Sequence, residues 1–359
     1  MRTSPRSSTS PVTPAARAMV RDTGSGGGLP TTFDVRTAFD FAVSLASEVG
    51  EHDELPAEDR RWLEKARAAL PESVRRTIDD EMCIFGAALV VDRADVTDAR
   101  GFVDLLDATS GRDYTRAVLG DVLRDPARLA ELDRAFDGDR EAIDSILSGW
   151  PDEKRSNLSR LFLDADGLLD EVRTLMHAWL PHYLEIEPRV REIIERDARL
   201  RAPDVATLRP PELIERTTAG VRWLSEPGVR RVVLAPSFLV RPYNFTFAGA
   251  DWRLFIYPVA DAALEPHDPL APPTSLLRLH RALGDETRLR VLRLLRDRDM
   301  YLTEIAERLE LSKPTIKHHL AQLRAAGLVT LTEEGGLSYY SLRRDRLADA
   351  SAELIRYLA

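Results

Sequence analysis

The chain has 359 residues, 44% of them hydrophobic, which is enough for two or three domains, each with its own core. No apolar run approaches the length of a membrane-spanning helix, and the first twenty residues lack the apolar stretch of a secretory signal. The single cysteine, Cys83, excludes an intramolecular disulfide and fits a reducing compartment, so a soluble cytoplasmic protein is expected. The net charge of −9 is unevenly spread: from Thr274 onward 15 Lys and Arg face 12 Asp and Glu, a net of +3, which leaves −12 for the remainder. Such an asymmetry suits a nucleic-acid-binding module attached to an acidic partner domain.

In chain order, residues 1–30 are rich in Ser, Thr, Pro and Gly and cannot bury enough apolar surface to order themselves, so a disordered tail is expected. The Gly24–Gly28 cluster near its end has neither the preceding strand nor the Lys-Ser/Thr of a phosphate loop and reads as a linker. Residues 31–260 form the expected N-terminal effector or interaction domain. It opens with a short strand and a helix in 33–49, followed by helical patterns at 57–70, 71–85, 103–108, 114–123, 128–136 and 140–147. One or two longer helices are expected at 156–186, with Leu161, Leu168, Leu175 and Trp179 buried, and further ones at 187–199 and 211–225. The pattern then changes to three short strands, 231–235, 243–247 and 252–257, expected to form a small antiparallel sheet. Seven of the chain's 24 aromatics lie between Phe238 and Tyr257, as a core or as the lining of a ligand pocket. Pro266, Pro269, Pro272 and Pro273 mark 261–273 as a proline-rich linker, and 274–359 is the last domain. The fold class is mainly α with small β elements.

In that last domain Leu276, Leu279, Ala282 and Leu283 pattern a first helix. Asp285 or Glu286 starts a second, with Leu289, Leu292 and Leu295 along it. Thr303 is a candidate N-cap for a short helix carrying Ile305 and Leu309, broken at Glu310-Leu311. Ser312 is the next N-cap candidate, and Pro314 is tolerated in a first turn. Ile316, Leu320 and Leu323 then fall on a buried face, with Lys313, Thr315, Lys317 and His318 opposite, and Gly327 can take positive φ at the end. Two of the chain's four lysines are on that exposed face. Residues 329–332 and 337–342 flank Glu333-Glu334-Gly335-Gly336, a hairpin signal. Helix, turn, helix, hairpin is a winged helix-turn-helix.

These residues resemble the ArsR-type winged-helix regulators. The resemblance rests on Leu283-Gly-Asp-Glu-Thr-Arg-Leu-Arg-Val-Leu292, Leu302-Thr-Glu-Ile-Ala306, Leu311-Ser312, Thr315-Ile316, His318-His-Leu320, Leu323-Arg324, Ala326-Gly-Leu-Val329 and Tyr340-Ser-Leu342, in order and spacing. It covers under a fifth of the chain. It implies double-stranded DNA as partner, with Ser312, Lys313, Thr315, Lys317, His318 and Arg324 as DNA-binding residues and Arg343 beyond the wing. It also implies a homodimer joined through the first and last helices of the domain, the latter carrying Leu347, Leu354 and Leu358, and repression as the default.

The wing departs from the pattern, with Gly336-Leu337 after two glutamates where relatives carry a basic residue, so its groove contact is in doubt; Arg343, Arg344 and Arg346 just beyond can meet backbone instead. The positions of the family's metal-sensing cysteines hold Tyr301 and Thr303, and adjacent His318 and His319 diverge along a helix, so no metal or other cofactor is expected. His177 and His182 lack the spacing of a zinc motif. No nucleophile elbow, phosphate loop or Cys/His pairing is present, so no catalytic residue is expected. The expected function is sequence-specific transcriptional regulation controlled by a small-molecule or protein effector at the N-terminal domain. Two alternatives remain: an enzymatic N-terminal domain targeted by the winged helix, or a winged helix used for protein interaction.

Overall fold

The computed structural model describes residues 29–46, 49, 54–78, 82–120, 124–148, 152–264, 272–334 and 337–358. The expected disordered tail up to residue 28 with its glycine cluster, residues 265–271 of the expected linker and the wing turn Gly335-Gly336 lie outside the described residues. So do the side chains of Cys83, Glu333, Glu334 and Leu337. In chain order the elements are β1 (Thr31–Phe33), α1 (Thr37–Val43), α2 (Ala57–Ala69), α3 (Glu72–Ile78), α4 (Ala87–Val90), α5 (Ala99–Ala108), α6 (Gly111–Val118), α7 (Pro126–Phe136), α8 (Arg140–Leu147), α9 (Asp152–Leu158), α10 (Arg160–Leu163) and α11 (Ala165–Thr207). They continue with α12 (Pro210–Thr217), β2 (Val221–Trp223), β3 (Arg231–Ser237), β4 (Phe245–Ala248), β5 (Trp252–Pro258), α13 (Thr274–Leu283), α14 (Glu286–Leu295), β6 (Met300–Tyr301), α15 (Leu302–Leu309), α16 (Lys313–Ala325), β7 (Val329–Glu334), β8 (Leu337–Leu342) and α17 (Arg344–Leu358). The chain is mostly helical, and among the described residues no helix is long and apolar enough to cross a membrane.

Two compact units emerge. One holds the described residues up to Ala206 together with Pro227–Val259; the other holds Thr207–Glu226 together with Ala260–Ala359. The N-terminal unit is organised around α1, which is buried over its whole length, and α11. Of the helices expected at 156–186 and 187–199, the part before Ala165 falls in α9 and α10, and the rest is joined into α11, a single helix of 43 residues that runs through Pro181, Pro188 and Pro203. Each proline removes one backbone N–H and would cost about 3 kcal/mol in an isolated helix interior. Here the buried stripe Leu168, Leu175, Trp179, Tyr183, Val190, Ile194 continues past the first two prolines and holds the helix together.

Polar groups on this stripe are tied to distant elements. Asp40 on α1 is fully buried and accepts hydrogen bonds from the Ser237 hydroxyl, the Tyr183 hydroxyl at 2.8 Å, and the N–H groups of Phe238 at 2.7 Å and Leu239 at 3.0 Å. Burial pushes its carboxyl above the ordinary range, and these donors offset only part of that rise. Glu187 accepts from the Thr37 hydroxyl and from Ala99 N–H, the Trp179 indole N–H donates to Ser44 Oγ at 2.8 Å, and Tyr257 donates to Asp197 at 2.9 Å.

The sheet of this unit has the order β1-β3-β5-β4. It is mixed rather than antiparallel: β1 pairs with β3 and β3 with β5 in parallel, and only β4–β5 is an antiparallel hairpin. Alternation in sequence marks where strands lie but not which strand sits beside which. Here β5 enters between β3 and β4, so the chain passes over that place before returning to fill it. Phe238, Tyr243, Phe247, Trp252, Phe255 and Tyr257 are all buried, which makes the aromatic concentration a core. Gly249 lets Trp252 fold back on its own hairpin, since a Cβ there would lie 1.6 Å from the indole.

The C-terminal unit packs α13–α16 around Leu279, Val291, Leu295, Met300, Ile305, Ile316, Leu320, Leu323 and Leu328. Leu289, expected on the second helix's apolar row, is 49% exposed; the buried row is Val291, Leu292 and Leu295. The helix expected at 211–225 is half helix and half strand. It ends at Thr217, Ala219 and Gly220 take positive φ (54° and 107°), and β2 joins the wing sheet in the order β2-β7-β8-β6, parallel to β7. The domain boundary expected at 260/274 therefore differs from the observed packing: Thr207–Glu226 belongs with the winged helix, and so does the 3-10 turn Asp261–Ala263, where Asp261 pairs with Arg278 at 2.8 Å.

Candidate nucleic-acid interface

The local reasons for the helix-turn-helix are visible at each end of its helices. Asp285 caps α14, accepting from Arg288 N–H at 2.8 Å. The cap of α15 is Tyr301, not Thr303; Glu304 reaches back to Tyr301 N–H at 2.9 Å, and Thr303 sits inside the helix. Glu310, left-handed at φ 56°, ends α15 and sets the turn. Ser312 then caps α16 by accepting from Thr315 N–H at 3.3 Å, and its hydroxyl lies 2.7 Å from that of Thr315. Gly327 at φ 74° closes α16.

Lys313 is the first residue of α16 and Pro314 the second. Ile316, Leu320 and Leu323 are fully buried, which turns Ser312, Lys313 and Thr315 to solvent with Lys317 and His318 partly exposed beside them. The first turn has no acidic residue, so the partial positive charge of the helix N-terminus adds to Lys313 and Lys317, one turn apart. His319 behaves differently from its neighbour. Its ring is mostly buried with Nδ1 3.8 Å from Asp285 Oδ1, and burial lowers its pKa despite that carboxylate. Burial alone would raise the pKa of Asp285, but the Arg288 N–H bond and the charges of Arg288 and His319 bring it below the ordinary value.

Two of the expected DNA-binding arginines are placed differently from the rest. Arg324 is 4% exposed, and its guanidinium Nη1 donates to the Thr218 carbonyl at 2.7 Å. The spacing 316, 320, 324 puts it on the buried stripe, so it braces the unit from inside and is not offered to DNA. Arg343 is half-buried at the end of β8, where its N–H donates to Leu328 O at 2.9 Å. Beyond it Arg344 donates to Arg296 O and Arg346 pairs with Glu353. Sequence reasoning expects one helix over 211–225 and so misses β2, the second half of the α12–β2 segment, and its place beside the wing. Its signals were Ala219-Gly220 interrupting the helical pattern and the Val-Arg-Trp alternation after it.

The model of the bacterial regulatory protein arsR family matches residues 285–330. CmtR, an HTH-type transcriptional regulator of Mycobacterium tuberculosis, is 41% identical over 83 residues, 23% of this chain and 70% of that protein. SdpR, a transcriptional repressor of Bacillus subtilis, is 36% identical over 78 residues, 22% of this chain and 87% of that protein. The chain belongs to the ArsR family. A solved structure of HlyU from Vibrio cholerae is 31% identical, covering 24% of this chain and 94% of that one at a TM-score of 0.20. The ArsR match begins at Asp285, the cap of α14, and ends at Thr330 in β7. It takes in α14, β6, α15, α16 and the start of the wing, and α12 and β2 fall outside it. DNA-binding transcription regulation is the activity that goes with this part of the chain.

Proposed function

We propose that the chain is a homodimeric, sequence-specific repressor that reads DNA with the first turn of α16 and is controlled through its N-terminal unit. The observation that carries this is the exposed set Ser312, Lys313 and Thr315, with Lys317 and His318 partly exposed beside it, on a capped helix whose first turn holds no acidic residue. Lys313 and Lys317 suit phosphates or guanine edges, and Thr315 and His318 suit base edges or phosphate. Arg343 meets the backbone beside them. Repression is taken from the similarity to the transcriptional repressor SdpR. The dimer is supported by α17, which leaves Leu347, Leu354, Ile355 and Leu358 exposed, from 36% to 73%. Two such units read half-sites about one helical turn, roughly 34–36 Å, apart.

The test is fluorescence anisotropy of the full chain on the duplex upstream of its own gene and on duplexes selected from a random library, across a salt series. Binding should be sequence-selective, and Lys313→Ala/Lys317→Ala should weaken it and make the salt slope shallower by about 2, near one unit for each phosphate that is no longer neutralised. Equal, weak binding of every duplex by both proteins would refute the reading.

A further inference from the structure

The segment Thr207–Glu226 is part of the winged-helix unit, yet both its covalent ends lie in the N-terminal unit. The chain leaves that unit at the end of α11, builds α12 and β2, and goes back at Pro227 to make β3 before it finally crosses at Ala260.

The entry to this segment is stiff. Only Leu208 and Arg209 separate α11 from α12. Arg209 precedes Pro210 and Pro211, which restrict its backbone and fix the first turn of α12. Two residues span at most about 7 Å, so a displacement of the end of α11 cannot be absorbed there. The α12–β2 turn is equally tight: Gly220 N–H donates to Glu215 O at 2.7 Å, Val221 N–H donates to Thr218 Oγ1 at 3.1 Å, and Thr218 Oγ1 donates to Ile214 O. Leu213, Ile214, Thr217, Thr218, Val221 and Trp223 are buried, so the segment is a packed element and not a loop.

Its far side is bonded to α16 and to the wing strand β7. The Thr218 carbonyl accepts from the guanidinium of Arg324 in the last turn of α16, and the Gly220 carbonyl accepts from Leu331 N–H of β7 at 2.8 Å. Gly220 lies so close to β7 that an added Cβ would sit 3.3 Å from Val329 O. The parallel register Val221–Leu331, Arg222–Thr332, Trp223–Glu333 continues toward the wing turn. Helix and wing are thus held by one segment, through one buried charged hydrogen bond and one ladder.

We propose that Thr207–Glu226 is the arm that couples the N-terminal unit to DNA binding. The position of α11 is delivered through Leu208-Arg209 to α12, and from there through Thr218–Arg324 to α16 and through β2 to the wing. This rests on the DNA-binding reading above and names how the site is regulated. Linkage requires the reverse as well: a duplex that fixes α16 must stabilise the end of α11.

The experiment is amide hydrogen exchange on the full chain, with and without the duplex it selects from a random library. It is repeated on a chain given flexible Gly-Ser insertions after Leu208 and after Glu226, which slacken the arm but leave its ladder intact. In the natural chain the duplex should slow exchange about fivefold or more in α12, in β2 and in the last turns of α11. In the slackened chain duplex affinity and the slowing in α12 and β2 should persist, and the slowing in α11 should vanish. Slowing in α11 that is absent from the natural chain, or that survives the insertions, overturns the proposal. If no duplex is selected, the DNA reading fails and the arm is decided without DNA. Arg324→Met should then speed exchange in the last turns of α11 in the natural chain only, and an equal effect in both chains overturns it.

Discussion

The bonds that set the helix ends of the winged helix are local: Ser312 to Thr315, Asp285 to Arg288 and Glu304 to Tyr301, each three residues apart. In the N-terminal unit the decisive bonds are remote, with Asp40 accepting from partners 143 to 199 residues away. A local cap specifies one helix end whatever surrounds it. A remote tie specifies nothing until the fold exists, and then holds several elements at once. The first region should therefore tolerate removal of any single polar bond better than the second.

The sharpest way to break this comparison is Asp40→Ala. It would leave two backbone N–H groups and two hydroxyls without their buried acceptor, so a loss on the order of 4 kcal/mol is expected in the unfolding of the N-terminal unit. A urea titration that shows less than about 1 kcal/mol would mean the remote ties are dispensable. Gly249→Ala comes next, because its methyl group would collide with the Trp252 indole; overpacking of about 1–3 kcal/mol should appear in thermal unfolding together with a shift in tryptophan emission. Ser312→Ala removes the cap of α16 and one hydroxyl of the proposed DNA-reading set; it should cost about 1 kcal/mol of stability, with DNA affinity falling modestly as that contact is lost and the first turn frays.

The smallest effect is the titration of His319. Burial holds its folded pKa below the ordinary 6.5, so as pH falls the unfolded chain takes up the proton first. Its contribution favours the folded state above 6.5 and is lost as pH drops from there through the lowered folded value. The pH dependence of stability in that window should flatten in His319→Gln, and an unchanged profile would show that the ring is not what titrates.

Much of the winged helix was legible: the Ser312 cap, the positive φ at Gly327, the buried row Ile316, Leu320, Leu323 and the hairpin β7–β8 all follow from spacing and turn chemistry, while the α15 cap and the exposure of Leu289 did not. Arg324 was misplaced because its family motif was weighed and its i+4 spacing from Leu320 was not. The N-terminal helices were legible as elements, including the burial of Leu161, Leu168, Leu175 and Trp179, but their ends were not. Continuity of α11 through three prolines depends on what its stripe packs against, which local propensity does not contain.

Legible in the residues alone were most of the helices, the caps at Asp285 and Ser312, the basic face of α16 and the family that helix belongs to. These are properties of residues within a few positions of one another. Only the tertiary structure decided that β5 lies between β3 and β4, that β2 joins the wing, and that Arg324 faces inward to Thr218. Strand neighbours and buried partners are chosen by the competition of whole surfaces for burial, and residues 106 positions apart carry no local mark of having met.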